Sequence, residues 1–363
     1  MDEAPTQPAG SSSARTSAPR ARRILFGRWL RLWVRSFVGI DGVHVVRVKR
    51  RPLSRSRHAA SLAFERSILA PLLGGTPTSY EHPRDYNRFF RAIAEHRSYF
   101  ARDRSSGSII GSLTGVAWRL RLPGGGRRRA VYLMRYRIAP AARTGPAMLY
   151  LLARIMPFVA LYGRTTISIL QFGHAMKQDK IAAAIGMPGP RRAGAFRVIT
   201  WNAHRDDGPS PGGLLEAPER AVRARFAALT SGCIAVAGGK PDLRSAMTPR
   251  WLLAADGSAC GCIEDYSRAL TWRTPEGPRP LEAHVSFFGW TSIEAGSRFF
   301  RACMPIAAAA GATRIRAVID ERHADAFIAA VGLPPEADVG WSIMATGGRP
   351  FPDAPWVVHP SEI

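Results

Sequence analysis

The segment Arg135–Ile155, RYRIAPAARTGPAMLYLLARI, has the layout of a phosphate-holding turn: a strand, a short loop containing glycine, then a helix. First-turn N–H groups of a helix have no acceptor inside it, and the helix dipole favours an anion there. Arg143, Thr144, Gly145 and Ala147 can each turn a backbone N–H toward a diphosphate, whereas Pro146 has none to offer. On its own the layout is a weak signal, because many strand–loop–helix turns bind nothing. Glu282 and His284 stand two residues apart on a second predicted strand, share a face, and could form a base. Cys260 and Cys262 make a C-x-C with no second Cys/His cluster at zinc spacing, so they read as small buried strand residues and no metal is expected. Four cysteines in 363 residues do not make a disulfide framework.

The loop segment resembles motif A of the GNAT superfamily of acyl-CoA N-acyltransferases: a hydrophobic strand, Pro-x-x, Arg-Gly-x-Gly-x-Gly/Ala, then a helix with a Leu pair. Pro140, Arg143 and Leu151-Leu152 stand at the family spacing, with Thr144, Pro146 and Met148 at the glycine positions. A shift of one residue puts Gly145-Pro146-Ala147 on the Gly-x-Gly/Ala element with a shorter loop, and both registers stay open. Ile167–Met187 resembles motif B, and Ser98–Thr114 resembles the meander that precedes motif A. The resemblance covers about residues 43–201. A second copy over about residues 216–345 keeps the meander and motif B; its GWTSIEAGSRFF places Gly289 and Gly296 at the wrong spacing for a phosphate loop.

The resemblance implies acyl-CoA lying between two splayed parallel strands, Arg129–Ile138 and Thr166–Phe172. The pyrophosphate would lie on Arg143, Thr144, Gly145 and Ala147, with Arg137 and Ile138 also lining the cofactor, and an amine would attack the thioester directly. This sequence departs from the family at two places. The Tyr often found four residues before the motif B glycine is Ala182 in the first copy and Ile328 in the second. The strand before motif A carries Arg135 and Arg137 where a Glu often stands. Tyr136, Tyr132 and His174 are the remaining proton-transfer candidates, with Tyr136 and His174 taken as the catalytic pair. The implied function is N-acyl transfer from acetyl-CoA, another acyl-CoA or acyl carrier protein to a small-molecule or peptide amine. The alternative is an inactive tandem module that binds acyl-CoA or a partner, at a membrane surface in one version. The second module is read as structural or acceptor-shaping.

The elements that would position these residues follow from periodicity. The order is strand (Val43–Lys49), helices (Arg55–Leu73, Arg84–His96), a three-strand meander (Ser98–Arg102, Ser108–Leu122, Arg129–Ile138), helix (Ala147–Ile155), strand (Thr166–Phe172), helix (Gln178–Ile185). The second half repeats it with strands Trp251–Ala254, Ala259–Arg273 and Leu281–Phe288, helix Ile293–Ala310, strand Arg314–Ile319 and helix Ala324–Val331. GATRIRAVIDERHADAFIAAVGLP echoes GRTTISILQFGHAMKQDKIAAAIGMP. The expected fold class is α/β (α+β): two tandem GNAT-like domains, each a mixed, mostly antiparallel central sheet with splayed strands flanked by helices. The expected divisions are a disordered basic tail (1–21), a basic amphipathic helix (22–38), module 1 (39–205), a linker (206–213) and module 2 (214–363).

Composition narrows the partners. Hydrophobic residues make up 46% and charged residues 21%, enough to bury real cores. Of the net charge of +24, residues 1–160 hold most, with 29 basic against 8 acidic side chains, so a basic surface would belong to the first half. Such a surface suits coenzyme phosphates, an acidic carrier or anionic lipid. Nucleic acid is the least supported partner, since no helix-turn-helix, zinc-finger or RRM pattern occurs. With only four lysines among 51 basic residues, part of the arginine excess reads as genomic habit. Residues 22–38 set Leu25, Trp29, Leu32 and Trp33 at helical spacing among arginines, suiting either packing on the parent domain, which is preferred, or a membrane interface. No run of about 18 apolar residues and no secretory signal occur, so a cytoplasmic location is expected.

Overall fold

The computed structural model describes residues 18–39, 41–49, 52–68, 70–71, 77–171, 189–203, 213–275 and 277–360. The helices are α1 (Ala18–Val38), α2 (Arg55–Arg66), α3 (Arg88–Ile93), α4 (Ala147–Leu161), α5 (Glu219–Leu229), α6 (Pro241–Arg244), α7 (Ile293–Ala309) and α8 (Glu321–Val331). In the first half the strands are β1 (Val43–Arg47), β2 (Ala70–Pro71), β3 (Pro77–Glu81), β4 (His96–Asp103), β5 (Ile109–Arg121), β6 (Arg127–Ile138), β7 (Thr166–Gln171) and β8 (Arg191–Asn202). The second half adds β9 (Leu214–Glu216), β10 (Ile234–Val236), β11 (Arg250–Ala254), β12 (Ala259–Glu264), β13 (Thr271–Thr274), β14 (Gly277–Pro278), β15 (Glu282–Trp290), β16 (Arg314–Asp320), β17 (Ala337–Thr346) and β18 (Trp356–Val357).

One sheet runs β1-β4-β5-β6-β7-β17-β8-β16-β15-β12-β11-β9, with β10 and β18 joined to it beside β5. The repeat expected from sequence is visible within it. The meander β4-β5-β6, then α4 and β7, matches the meander β11-β12-β15, then α7 and β16. Both copies carry a bulge at the same place. Register slips between Ser112 and Thr114 opposite β6, and Arg135 there has φ 51°. Register slips between Cys260 and Cys262 opposite β15, and Phe287 there has φ 52°. A bulge re-aims side chains and bends its strand, and such backbone strain is stored at sites more often than elsewhere. Both copies also need a glycine where the long helix crosses the sheet. A Cβ on Gly115 would meet Val131 at 2.9 Å and Ile155 at 3.0 Å; one on Gly261 would meet Val285 at 2.8 Å and Phe299 at 3.0 Å.

The halves exchange strands. β17, from the second half, pairs antiparallel with β7 of the first, while β8, from the first, pairs with β16 of the second. The expected linker therefore divides the chain but not the sheet. A four-stranded sheet, β14-β13-β3-β2, likewise takes strands from both halves, with the Tyr80 ring on β3 packed tilted on Trp272 of β13, centroids 4.5 Å apart. One central core then draws Tyr80, Phe89, Met134 and Ile167 together with Tyr266, Trp272, Val318 and Trp356.

Several elements differ from their expected form. α2 ends at Arg66, with Ser67 as its C-cap, instead of running to Leu73. The single strand expected over Ala259–Arg273 is two, β12 and β13, in different sheets. The break is at Asp265, whose carboxylate accepts N–H bonds from Ala246, Met247 and Ser267 and so fastens a turn. Cys260 and Cys262 are buried on β12. The helix expected at Gln178–Ile185 lies outside the described residues. Helix α1 packs on its own domain: Trp29 Nε1 donates to the Ala153 carbonyl at 3.2 Å, and the Arg154 guanidinium lies over Trp33 at 5.2 Å. Its outer side leaves Leu30, Val34, Phe37 and Val38 exposed. No described helix is long and apolar enough to cross a membrane.

Candidate active site

The parallel strands β6 and β7 are bonded at two positions, Val131 to Thr166 and Tyr132 to Ile167, and nowhere beyond. From Leu133 to Ile138 the β7-facing edge of β6 has no strand partner among the described residues, so the pair opens toward its C-terminal end. The bulge at Arg135 lies in this open stretch.

Alternation along β6 sorts its side chains between two faces. Leu133, Tyr136 and Ile138 pack on the α4 side, with Leu151 and Ile155. Met134 faces the other side, and the bulge lets Arg135 and Arg137 both follow it; their guanidiniums lie over the Tyr80 ring at 3.7 and 4.3 Å. Arg137, expected to line the cofactor, thus sends its side chain to the face opposite α4. Tyr136 sits on the α4 side, where its hydroxyl donates to the Met148 carbonyl at 3.4 Å and burial raises its pKa. That bond ties the bulged strand to the first turn of α4. His174 and Ala182 lie outside the described residues.

The loop from β6 to α4 is a short 3-10 turn, Pro140–Ala142, followed by Arg143, Thr144, Gly145 and Pro146. Gly145 N–H is spent inside the loop on the Ala142 carbonyl (3.1 Å), and Arg143 N–H on Pro140 (3.3 Å). Gly145 does not have positive φ, and a Cβ there would touch only the Ala142 carbonyl, at 3.5 Å. Backbone geometry therefore does not demand glycine here. Its N–H is also no free donor. Pro146 is the N-cap of α4, no side chain caps the helix, and its first turn holds no acidic residue. Arg143, Thr144 and Gly145 are exposed, Met148 is half-buried and Ala147 is fully buried.

On the opposite face lies a buried polar cluster that sequence patterning did not reveal. Glu65 comes from α2 and His82 from the end of β3; both are 3% exposed. Glu65 Oε1 is 3.6 Å from His82 Nε2, and Oε2 has no hydrogen-bond partner among the described residues. Burial pushes the Glu65 carboxyl up to about 7, against the pull of Arg137 and Arg135. Burial, reinforced by the same two arginines, lowers His82 well below its usual value. His82 is thus neutral, and both ring nitrogens lack hydrogen-bond partners among the described residues. The cluster touches the bulge directly: Ser112 Oγ donates to the Arg135 carbonyl at 2.9 Å, and the Tyr86 hydroxyl bonds to Ser112. A buried carboxyl near neutrality beside a strained strand is the environment in which acid–base groups are found. One signal was readable in the sequence, namely a lone Glu between apolar positions in LAFERSIL, but which buried face it joins depends on the bulge.

The second copy closes three corresponding features, although its parallel pair β15–β16 is also bonded at one end only and both ring nitrogens of His284 lack hydrogen-bond partners among the described residues. Ser292 caps α7 by accepting the Ala295 N–H (3.2 Å), and Glu294 places a carboxylate in its first turn. The N–H of the bulged Phe287 is taken by His359 Nδ1 at 3.1 Å, from the C-terminal segment. The buried carboxylate there, Glu264, has both oxygens bonded to Arg244, at 2.6 and 2.8 Å. Glu282 and His284, the candidate base pair, are separated in role: Glu282 bonds Arg316 at 2.6 Å, while His284 is fully buried against Tyr266 with its pKa lowered by burial.

No protein-family model matches this chain, and no curated protein is similar to it in sequence. Solved structures are similar in fold. A crystal structure of Saccharomyces cerevisiae N-myristoyltransferase with bound myristoyl-CoA superposes at TM-score 0.56, with 9% identity, over 86% of this chain and 84% of that one. A second, with bound myristoyl-CoA and inhibitors, gives 0.58 and 8% over 89% and 84%. A GCN5-related N-acetyltransferase from Anabaena variabilis matches at 0.42 and 13%, over 71% and 64%, too distant to add weight. At these identities the likeness concerns the fold, and this chain has the GNAT-type fold of two tandem modules joined in one sheet.

Proposed function

We propose that the first module transfers an acyl group from acyl-CoA, or an acyl carrier protein thioester, to an amine. The observation that carries the reading is the uncapped α4 on one face of the β6–β7 pair and the buried Glu65 carboxyl on the other, set against a second module in which Ser292 caps the helix and Arg244 pairs with Glu264. The loop fits an anion: first-turn N–H groups without a side-chain cap, no acid among them, and the cationic Arg143 beside them. The thioester supplies the activated carbonyl. Ala147 and Met148 N–H with Arg143 hold the diphosphate, and unpartnered backbone N–H groups between Leu133 and Ile138 polarise the thioester oxygen. Glu65, ionised above about pH 7, takes the proton of the attacking nitrogen, and His82 stays neutral beside it. Tyr136 positions α4, and His174 is kept as the candidate acid for the departing thiolate.

Two measurements test this. CoA should raise the melting temperature of the full chain, because a ligand bound by the native state alone stabilises it. Thiol release from acetyl-CoA and myristoyl-CoA should appear with an amine panel. Stabilisation without release favours a binding protein, the reading that Pro146 in the loop and Ala182 at the usual Tyr position support. Absence of both defeats the proposal.

A further inference from the structure

The cluster beside Glu65 is short of negative charge. Arg135 and Arg137 bring two guanidiniums to one aromatic face, over Tyr80. Arg135 Nε and Nη2, and Arg137 Nη1, are buried N–H groups with no hydrogen-bond partner among the described residues. The neighbouring carboxylates are already engaged. Glu81 pairs with Arg66 at 2.8 Å and Arg273 at 3.1 Å, and Glu282 pairs with Arg316 at 2.6 Å. That leaves Glu65 as the one carboxylate facing two guanidiniums, and it touches neither within ion-pair distance. Buried cations persist where something pairs with them, and an orphaned N–H on a charged group is costly. As whole residues both arginines are half-buried.

We infer that the acceptor amine carries a carboxylate, which Arg135 and Arg137 bind while Glu65 faces its nitrogen. This rests on the acyl-transfer reading and names its substrate class: amino acids and related zwitterions. A simple amine would add a third positive charge to this cluster. An amino acid enters with no net charge, satisfies the orphaned donors, and presents its ammonium to the one carboxylate that can take a proton. The discrimination is the kind a site built for a charged group achieves, since the analogue lacking that group leaves the site's own donors unpaired.

The test uses the full chain and a panel of α- and ω-amino acids, each paired with its amide. Rates of thiol release from acetyl-CoA and myristoyl-CoA are compared per concentration of free amine. The expected result is a preference of about 100-fold in kcat/KM for at least one acid over its amide, matching hydrogen bonds to a charged group. In Arg137→Gln and Arg135→Gln that ratio should collapse below about 5-fold, while Arg137→Lys retains part of it. A merely structural role for these arginines would lower both rates together and leave the ratio alone. In parallel, the melting temperature is followed with N-acetylglycine and N-acetylglycinamide, without CoA. Stabilisation by the acid alone, lost in Arg137→Gln, supports the carboxylate site even if no turnover is found, in which case the transferase reading is what fails. Turnover of amides equal to acids overturns this inference and leaves acyl transfer standing. Neither turnover nor acid-dependent stabilisation overturns both.

Discussion

Replacing Glu65 by Gln should make the protein more stable and less active, and pH separates the two effects. The carboxyl is pushed up to about 7 from 4.5, mainly because burial penalises its ionised form. The native state therefore holds more protons than the unfolded state between pH 4.5 and 7, so stability falls as pH rises through that window. At roughly 1.4 kcal/mol per pH unit, the deficit of the ionised protein reaches ~3 kcal/mol by pH 8. Gln keeps the shape and the neutral charge, so E65Q should match wild type at pH 5 and exceed it by up to ~3 kcal/mol at pH 8, read by urea unfolding at both values. For activity the sign reverses, because the ionised form is the base. Wild-type kcat/KM should rise with unit slope to a midpoint near 7, and E65Q should lose that limb together with about 100-fold or more of the rate at pH 8. A functional carboxyl held at an energetic disadvantage is what a stability–activity trade-off looks like. Two results would refute the reasoning. Equal stability differences at pH 5 and 8 would mean that the carboxyl is not perturbed. An unchanged acid limb in E65Q would mean that another group is the base.

Further variants probe the loop and the closed module. Arg143→Ala should weaken CoA binding, measured by calorimetry, with the loss shrinking as salt is raised, because Arg143 is exposed and screened. Gly145→Val should leave the melting temperature within about 2 °C, since nothing in the fold crowds that position, yet reduce CoA affinity if the diphosphate passes over it; normal affinity would move the binding loop elsewhere. Gly115→Val should cost about 1–3 kcal/mol in chemical denaturation, through overpacking against Val131 and Ile155. His359→Ala should cost a similar ~1–3 kcal/mol, because it leaves the buried Phe287 N–H without an acceptor. Its kcat should stay at the wild-type value, and a large loss of kcat would place chemistry in the second module.

Much of the fold is legible in local sequence because its signals are local. The apolar runs of β5 and β6, the 3.6-residue period of α7 and the glycine that ends α8 with φ 69° are each set within a few residues. So is the resemblance between the two copies, which the structure shares down to matching bulges. What local sequence hides is long-range. The exchange of β8 and β17 depends on pairing between strands about 140 residues apart, and any β-branched strand could serve as partner. The site suffers most from this. Arg135 and Arg137 alternate correctly for one face of an ideal strand, but φ 51° at Arg135 decides what they meet, and nothing in RYRI announces a bulge. Glu65 and His82 lie about 50–70 residues from that bulge on elements whose lengths were misjudged, so their meeting could not be derived from spacing.

The asymmetry between the modules is the stronger guide to function than either module alone. A bulge, an open parallel pair and a glycine under the helix recur in both, so they come with the architecture and say nothing about activity. What differs is how each copy treats the groups those features expose. In the second, Ser292 caps the helix, His359 takes the bulge N–H and Arg244 occupies both oxygens of Glu264, which is how a packed domain disposes of buried polar groups. In the first, the helix has no side-chain cap, and among the described residues Glu65 keeps an oxygen without a partner, His82 two nitrogens and the arginines three N–H groups. The second copy leaves both ring nitrogens of His284 without partners among the described residues, but it shows that this framework can cap the helix and pair the buried carboxylate from within, so leaving those two open in the first is not forced by the fold. Orphaned groups of opposite polarity, gathered on both sides of one strained strand, are best accounted for by a ligand with an anionic end for α4 and a charged acceptor for the Glu65 side.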